Sequence, residues 1–128
     1  MPKLILDSGG VSRLTRRQSK SAGLIATLQS SEFWPLTVPT VVLAESLSGN
    51  PRTDVPVSRL LKLCEIDDQV PTPVARRAGE LRALAKRGSA VDAIVVALAE
   101  PGGAVLTSDL ADMRALASYA DNVHVYRL

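Results

Sequence analysis

Four acidic residues are set apart by their neighbours. Asp7 closes the apolar run Leu4, Ile5, Leu6, and Glu45 sits within VPTVVLAESLSG. Asp92 interrupts a run of Ala90, Val91, Ala93, Ile94, Val95 and Val96, while Asp109 follows the apolar stretch that ends at Thr107. A carboxylate among aliphatic side chains loses hydration at a cost of about several kcal/mol unless it is paired or bound to a cation. Carboxylates drawn to one point also repel one another, and a hard divalent cation removes that repulsion by taking oxygen ligands. Mg²⁺ or Mn²⁺ is the natural occupant of such a set. Held by carboxylates, such a cation binds a phosphodiester oxygen, lowers the pKa of a bound water and stabilises the leaving oxygen. Cys64 and His124 are the only residues of their types. An internal disulfide, a cysteine zinc cage and a multi-histidine site are therefore excluded, and metal chemistry here runs through oxygen.

Each acid also has a structural explanation. Asp109 is a good helix N-cap, and Asp112 three residues later gives an acidic first turn that suits the helix dipole. Asp7 can cap the helix after its strand. Glu45 can face solvent, and Asp92 can pair with Arg82 or Arg87. The acids carry weight as a set, and a set requires elements that bring it together.

Lys3 to Leu6 reads as a short buried strand, because its apolar run is continuous and is closed by Asp7, Ser8, Gly9 and Gly10, where the chain turns. From Val11 the pattern is helical in two pieces, the second around Ala22 to Leu28. Trp34, Leu36 and Val38 alternate with Pro35, Thr37 and Pro39, predicting a second strand at an edge or with a strand end at its prolines. A helix from Thr40 through Leu47 is stopped by Gly49, Asn50 and Pro51; Val57, Leu60 and Leu61 imply another, and Cys64 to Asp67 a short strand. Pro71 and Pro73 open a helix that runs to Gly88. The next, from about Ser89 to Glu100, is apolar enough to be buried nearly all round. Ala104 to Thr107 is a strand, Asp109 to Tyr119 a helix, and Val123 to Tyr126 the last strand. Short apolar strands alternating with helices predict a parallel sheet covered on both faces. Ligands of such sheets bind beyond the carboxyl ends of the strands, which is where Asp7 and Asp109 leave theirs, with Glu45 early in the helix after the second strand.

The chain has 128 residues, 46% hydrophobic and 22% charged, the size and usage of one globular domain spanning 1–128. Its longest apolar run, Ala93 to Ala99, falls far short of the roughly 20 residues that span a bilayer, and no signal peptide is visible. Fifteen Lys and Arg against thirteen Asp and Glu leave a net charge of only +2. Distribution says more: Arg13, Arg16, Arg17 and Lys20 form one basic run, and Arg76, Arg77, Arg82, Lys86 and Arg87 another. Both are able to meet phosphates, and both equally suit solvated helix faces. Four aromatic residues are too few for a base-stacking platform.

Four stretches, LILDSGGVSRL, VPTVVLAESLSG, SAVDAIVVALAE and VLTSDLADMRALA, resemble in order and spacing the PIN-domain nucleases, and among them the VapC-type ribonuclease toxins of bacterial toxin–antitoxin modules. The similarity spans nearly the whole chain. It implies a three-layer α/β/α sandwich around a mainly parallel sheet of about five strands. It implies an acidic pocket of Asp7, Glu45, Asp92 and Asp109 that binds Mg²⁺ or Mn²⁺, with Asp112 as a further or alternative acid. Ser8 and Thr107 match hydroxyl residues that would orient carboxylates or water. Gly9 and Gly10 stand where relatives commonly carry larger residues, and Leu47 and Ser48 where many carry a larger or basic one.

The implied reaction is hydrolysis of an RNA phosphodiester by a metal-activated water, leaving a 3′-hydroxyl and a 5′-phosphate. Arg13, Arg16 and Arg17 would hold the backbone of a structured RNA such as tRNA or rRNA, contacts that position without reading sequence. The implied partner is a VapB-type antitoxin, the assembly a homodimer and the location cytoplasmic. Two other readings compete. One is an antitoxin-binding protein of the same fold that does not cleave. The other is a Mg²⁺-dependent phosphatase with Asp7 as nucleophile, which lacks the second Asp two positions on that haloacid dehalogenase-like phosphatases carry.

Overall fold

A computed structural model describes residues 2–16 and 19–128. The first strand, β1 (Leu4–Leu6), is wholly buried and leads through Asp7 into helix α1 (Ser8–Thr15) and then α2 (Ser19–Gln29). Strand β2 (Thr37–Pro39) passes directly into α3 (Thr40–Ser46), followed by α4 (Pro51–Leu61) and strand β3 (Glu65–Asp67). Helices α5 (Thr72–Ala85) and α6 (Ala90–Ala99) form a hairpin that leads to β4 (Ala104–Thr107), α7 (Leu110–Ala117) and β5 (His124–Arg127).

The five strands make one sheet in the order β3-β2-β1-β4-β5, and every pairing is parallel. Ile5 lies opposite Thr37 on one side and Val105 on the other. Parallel neighbours need crossovers, and right-handed crossovers running outward from β1 to β3 and then back across to β4 and β5 place helices on both faces. Accordingly α1 packs on α2, α3 and α4, while α6 packs on α5 and α7. The result is the three-layer α/β/α sandwich of five strands that the resemblance implies, with the parallel sheet covered on both faces that the alternation predicts. Its core joins Ile5, Leu6, Leu36, Val38 and Val105 in the sheet to Val11, Val42, Val95, Val96, Met113 and Leu116 on the helices.

Three local expectations change. Gly9 and Gly10 lie inside α1, which starts at Ser8 and not at Val11. The Asp7 carboxylate accepts from the Gly10 amide at 2.6 Å and so starts the helix at once. The glycines serve close approach: a Cβ on Gly10 would stand 2.5 Å from the Leu106 carbonyl oxygen, and one on Gly9 would run into the Ser108 hydroxyl. Second, β2 is an interior strand with Leu36, Thr37, Val38 and Pro39 all buried. The strand-end reading of the prolines holds and the edge reading does not: Pro35 precedes the strand, and Pro39 ends it as the N-cap of α3. Third, Pro51 starts α4 where it was expected only to end the preceding helix. Asn50 caps that start, accepting from the Arg52 amide at 3.0 Å.

Candidate active site

The sheet reverses its direction of growth between β1 and β4. The helix after β1 covers one face and the helix after β4 the other, leaving a crevice beyond the carboxyl ends of these two strands. Asp7 leaves β1 there, and Ser108 and Asp109 leave β4. Because α6 feeds back into β4, its N-terminus also points to this edge, which brings Asp92 toward Asp7 from 85 positions away in the sequence.

Asp7 is 4% exposed, and both of its oxygens are engaged. Oδ1 accepts from the Gly10 amide, and Oδ2 accepts from the Thr107 hydroxyl in a short hydrogen bond. The Asp109 amide in turn donates to Thr107 Oγ1 at 2.8 Å. Thr107 is thus oriented from behind and holds the Asp7 carboxylate in one rotamer. Burial pushes the Asp7 carboxyl above its ordinary range; the hydrogen bonds from Thr107 and Gly10 oppose this, and the charges of Asp92 and Asp109 add to it. Asp92 and Asp109 therefore stand near enough to Asp7 for their charges to act on it.

Asp92 makes no ion pair with Arg82 or Arg87. It is the N3 residue of α6 in a capping box: its amide donates to Ser89 Oγ at 3.0 Å, and its Oδ2 accepts from the Ser89 amide at 3.1 Å. One carboxylate oxygen remains outside that box. Asp109 occupies the N-cap position of α7 without a side-chain capping bond, so its exposed carboxylate is not used up by the helix. Asp112 is different. Arg87 Nε donates to its Oδ1 at 2.7 Å, which ties the start of α7 to the end of α5 and neutralises that acid.

Glu45 stands apart from the three central aspartates. It is exposed on the last turn of α3 and lines a cavity of about 410 Å³ between α1, α3 and α4, on whose wall Ser8 also lies. Ser8, next to Asp7 in the chain, is the link between that cavity and the crevice. The predicted arginine triplet is divided. Arg16 lines the same cavity as Glu45, while Arg13 faces a groove beside Lys20 and Leu128. Arg17 lies outside the described residues. Arg52 and Thr53, on the first turn of α4, complete the cavity wall opposite Arg16. Neither stands out in the sequence; the signal for both is Asn50-Pro51, a cap and first helical residue that fix where α4 begins.

A divalent cation is the group this donor set implies. Among the described residues no three acidic, thiol or imidazole side chains converge into a finished cage. Mg²⁺ does not require one: it is commonly held by one or two carboxylates and keeps several waters. A buried, rigidly held Asp7 whose charge is opposed by two neighbouring aspartates fits that requirement. Among the described residues no helix is long and apolar enough to cross a membrane.

No family model and no curated protein matches the chain. Solved structures do. A chain of VapBC2 from Rickettsia felis, bound to a DNA fragment from its promoter, superposes with a TM-score of 0.72 at 14% identity, covering 98% of both chains. FitAcB from Neisseria gonorrhoeae superposes with a TM-score of 0.64 at 21% identity over 96% of both chains. FitAB bound to the IR36 DNA fragment gives 0.64 at 21%, covering 97% of this chain and 94% of the other. These likenesses establish the fold over nearly its full length.

Proposed function

We propose that this chain is a metal-dependent endoribonuclease of the PIN type, the toxin of a toxin–antitoxin module, located in the cytoplasm. The observation that carries the reading is the Asp7 carboxylate: buried at the β1–β4 crevice, fixed by Thr107 and Gly10, and raised mainly by that burial with the charges of Asp92 and Asp109 adding to it. Burying an acid beside two others costs stability, and the arrangement is explained when a cation offsets it. Asp7 and Asp92 would be the main holders of Mg²⁺ or Mn²⁺, with Asp109 beside them and Glu45 reaching from the adjoining cavity. The bound cation would supply an activated water and charge stabilisation on a phosphodiester. Thr107 keeps Asp7 oriented, and Ser8 sits where it can hydrogen-bond water or substrate. Asp112, neutralised by Arg87, has the lesser part.

The structural relatives are VapBC2 and FitAcB or FitAB complexes, which supports a small antitoxin of the VapB type as partner; a homodimeric assembly belongs to the same proposal. The phosphatase alternative is disfavoured by the same geometry. The position two residues on from Asp7 is Gly9, inside α1, so the second acid that such a phosphatase carries is missing there. Incubation of the purified, antitoxin-free protein with total RNA and Mn²⁺ tests the proposal. Discrete products carrying 5′-phosphates, lost in chelator, are expected. Well-folded protein that leaves RNA intact would favour the binding-only alternative.

A further inference from the structure

The cavity beside the crevice has a chemistry of its own. Among its lining are Arg16, Arg52, Glu45 and Ser46, and in all two guanidinium groups and five hydroxyls surround a single carboxylate. Among the described residues neither Arg16 nor Arg52 forms an ion pair. Ser46 Oγ is buried and has no hydrogen-bond partner. A buried hydroxyl without a partner carries a desolvation penalty that an incoming acceptor relieves. The cavity volume of about 410 Å³ lies in the range of small-ligand sites, large enough for a phosphate with its sugar. Arginine forks match phosphate oxygens in pairs, and hydroxyls complete the shell.

We propose that Arg52, with Arg16 and the Ser46 hydroxyl, forms a phosphate-binding subsite that holds the RNA phosphate next to the scissile one. The inference rests on the nuclease reading and adds to it a residue and a direction. From the Asp7 crevice the backbone passes Ser8 and enters the cavity between α1 and α4. Glu45, on the wall of the same cavity, disfavours a phosphate placed beside it and leaves the arginines as the place where one is held. Arg52 binds substrate and takes no part in bond breaking.

The test is the affinity of a short fluorescent single-stranded RNA, measured by anisotropy in chelator across a salt series, followed by cleavage kinetics in Mn²⁺. Arg52→Ala should bind about tenfold more weakly, with a salt slope shallower by roughly 0.7, one single-strand phosphate contact. Its KM should rise about tenfold while kcat stays within twofold. Ser46→Ala should weaken binding about threefold yet melt no lower than the parent, because the hydroxyl it removes is unpaired in the free protein. Arg114→Ala, on the far end of α7, serves as the control for general charge loss. Parent protein that binds and cleaves RNA, with Arg52→Ala matching it in affinity and slope, overturns the subsite and leaves the nuclease reading standing. Parent protein that neither binds nor cleaves overturns both.

Discussion

Asp7 is held against its own ionisation. Burial and the neighbouring Asp92 and Asp109 raise its carboxyl above the ordinary value of 3.8, and two hydrogen bonds only partly offset this. An acid raised on folding binds more protons in the native state than in the unfolded chain, so stability falls as pH rises from 3.8 through the folded value, and the penalty is complete above it. Asp7→Asn removes the charge and keeps an acceptor for the Gly10 amide. In chelator at pH 7 the variant should therefore be more stable than the parent by roughly 1 kcal/mol, a few degrees in Tm. The gap should close below pH 3.8. Thermal melts across that range decide it; a less stable variant at pH 7 would show that Asp7 serves the fold and is not held in readiness for a cation. The sequence made Asp7 and Asp109 legible because Asp7 directly follows an apolar strand and Asp109 lies two residues beyond another. It did not reveal that Arg87 pairs with Asp112 and leaves Asp92 to a capping box, because which acid an arginine reaches depends on how α5, α6 and α7 pack.

The start of α1 shows what an element owes to its neighbour. Glycine inside a helix normally costs about 1 kcal/mol relative to alanine. At Gly23, with no heavy atom within 4 Å of a built Cβ, alanine should recover that amount. At Gly10 the sign reverses. Its Cβ would meet the Leu106 carbonyl at 2.5 Å, so Gly10→Ala should destabilise by roughly 1–3 kcal/mol by pushing α1 off β4. Gly9→Ala meets mainly the Ser108 side chain, which can rotate away, and should cost less than Gly10→Ala. Denaturant midpoints of the three variants check the order; a stabilised Gly10→Ala would refute the close contact. Read along the chain alone, Gly9-Gly10 is a turn signal, and it is the contact with β4, about 100 positions away, that makes it helical. The strands β1 and β4 and the helix α6 were legible for the opposite reason: their burial is written in continuous apolar sequence.

At the scale of the whole molecule, the end of the sheet opposite the crevice is clamped by one ion pair. Arg77 Nε and Nη2 donate to Glu100 at 2.8 and 2.9 Å, Nη2 also donates to the Tyr119 carbonyl, and Glu100 Oε2 accepts from the Asp121 amide. Four segments, α5, the end of α6, the end of α7 and the approach to β5, meet there. Arg77 holds the Glu100 carboxyl below its ordinary value, so the stabilisation is complete above 4.5 and is lost as pH falls through the lower folded value. Glu100→Gln should cost about 2 kcal/mol at pH 7 and progressively less under acid, measured by urea unfolding; an equal cost at both pH values would contradict a charge-based clamp. Layer order and parallel pairing could be argued from alternation and handedness, whereas this clamp and the arginine-lined cavity join residues from distant elements and leave no local pattern. The measurement that most directly tests the central claim is cleavage of total RNA by the parent protein and by Asp7→Asn, side by side in Mn²⁺, with folding of both verified. Discrete products are expected from the parent and none from a variant that melts at the same or a higher temperature. Equal cleavage by the two proteins would contradict the claim.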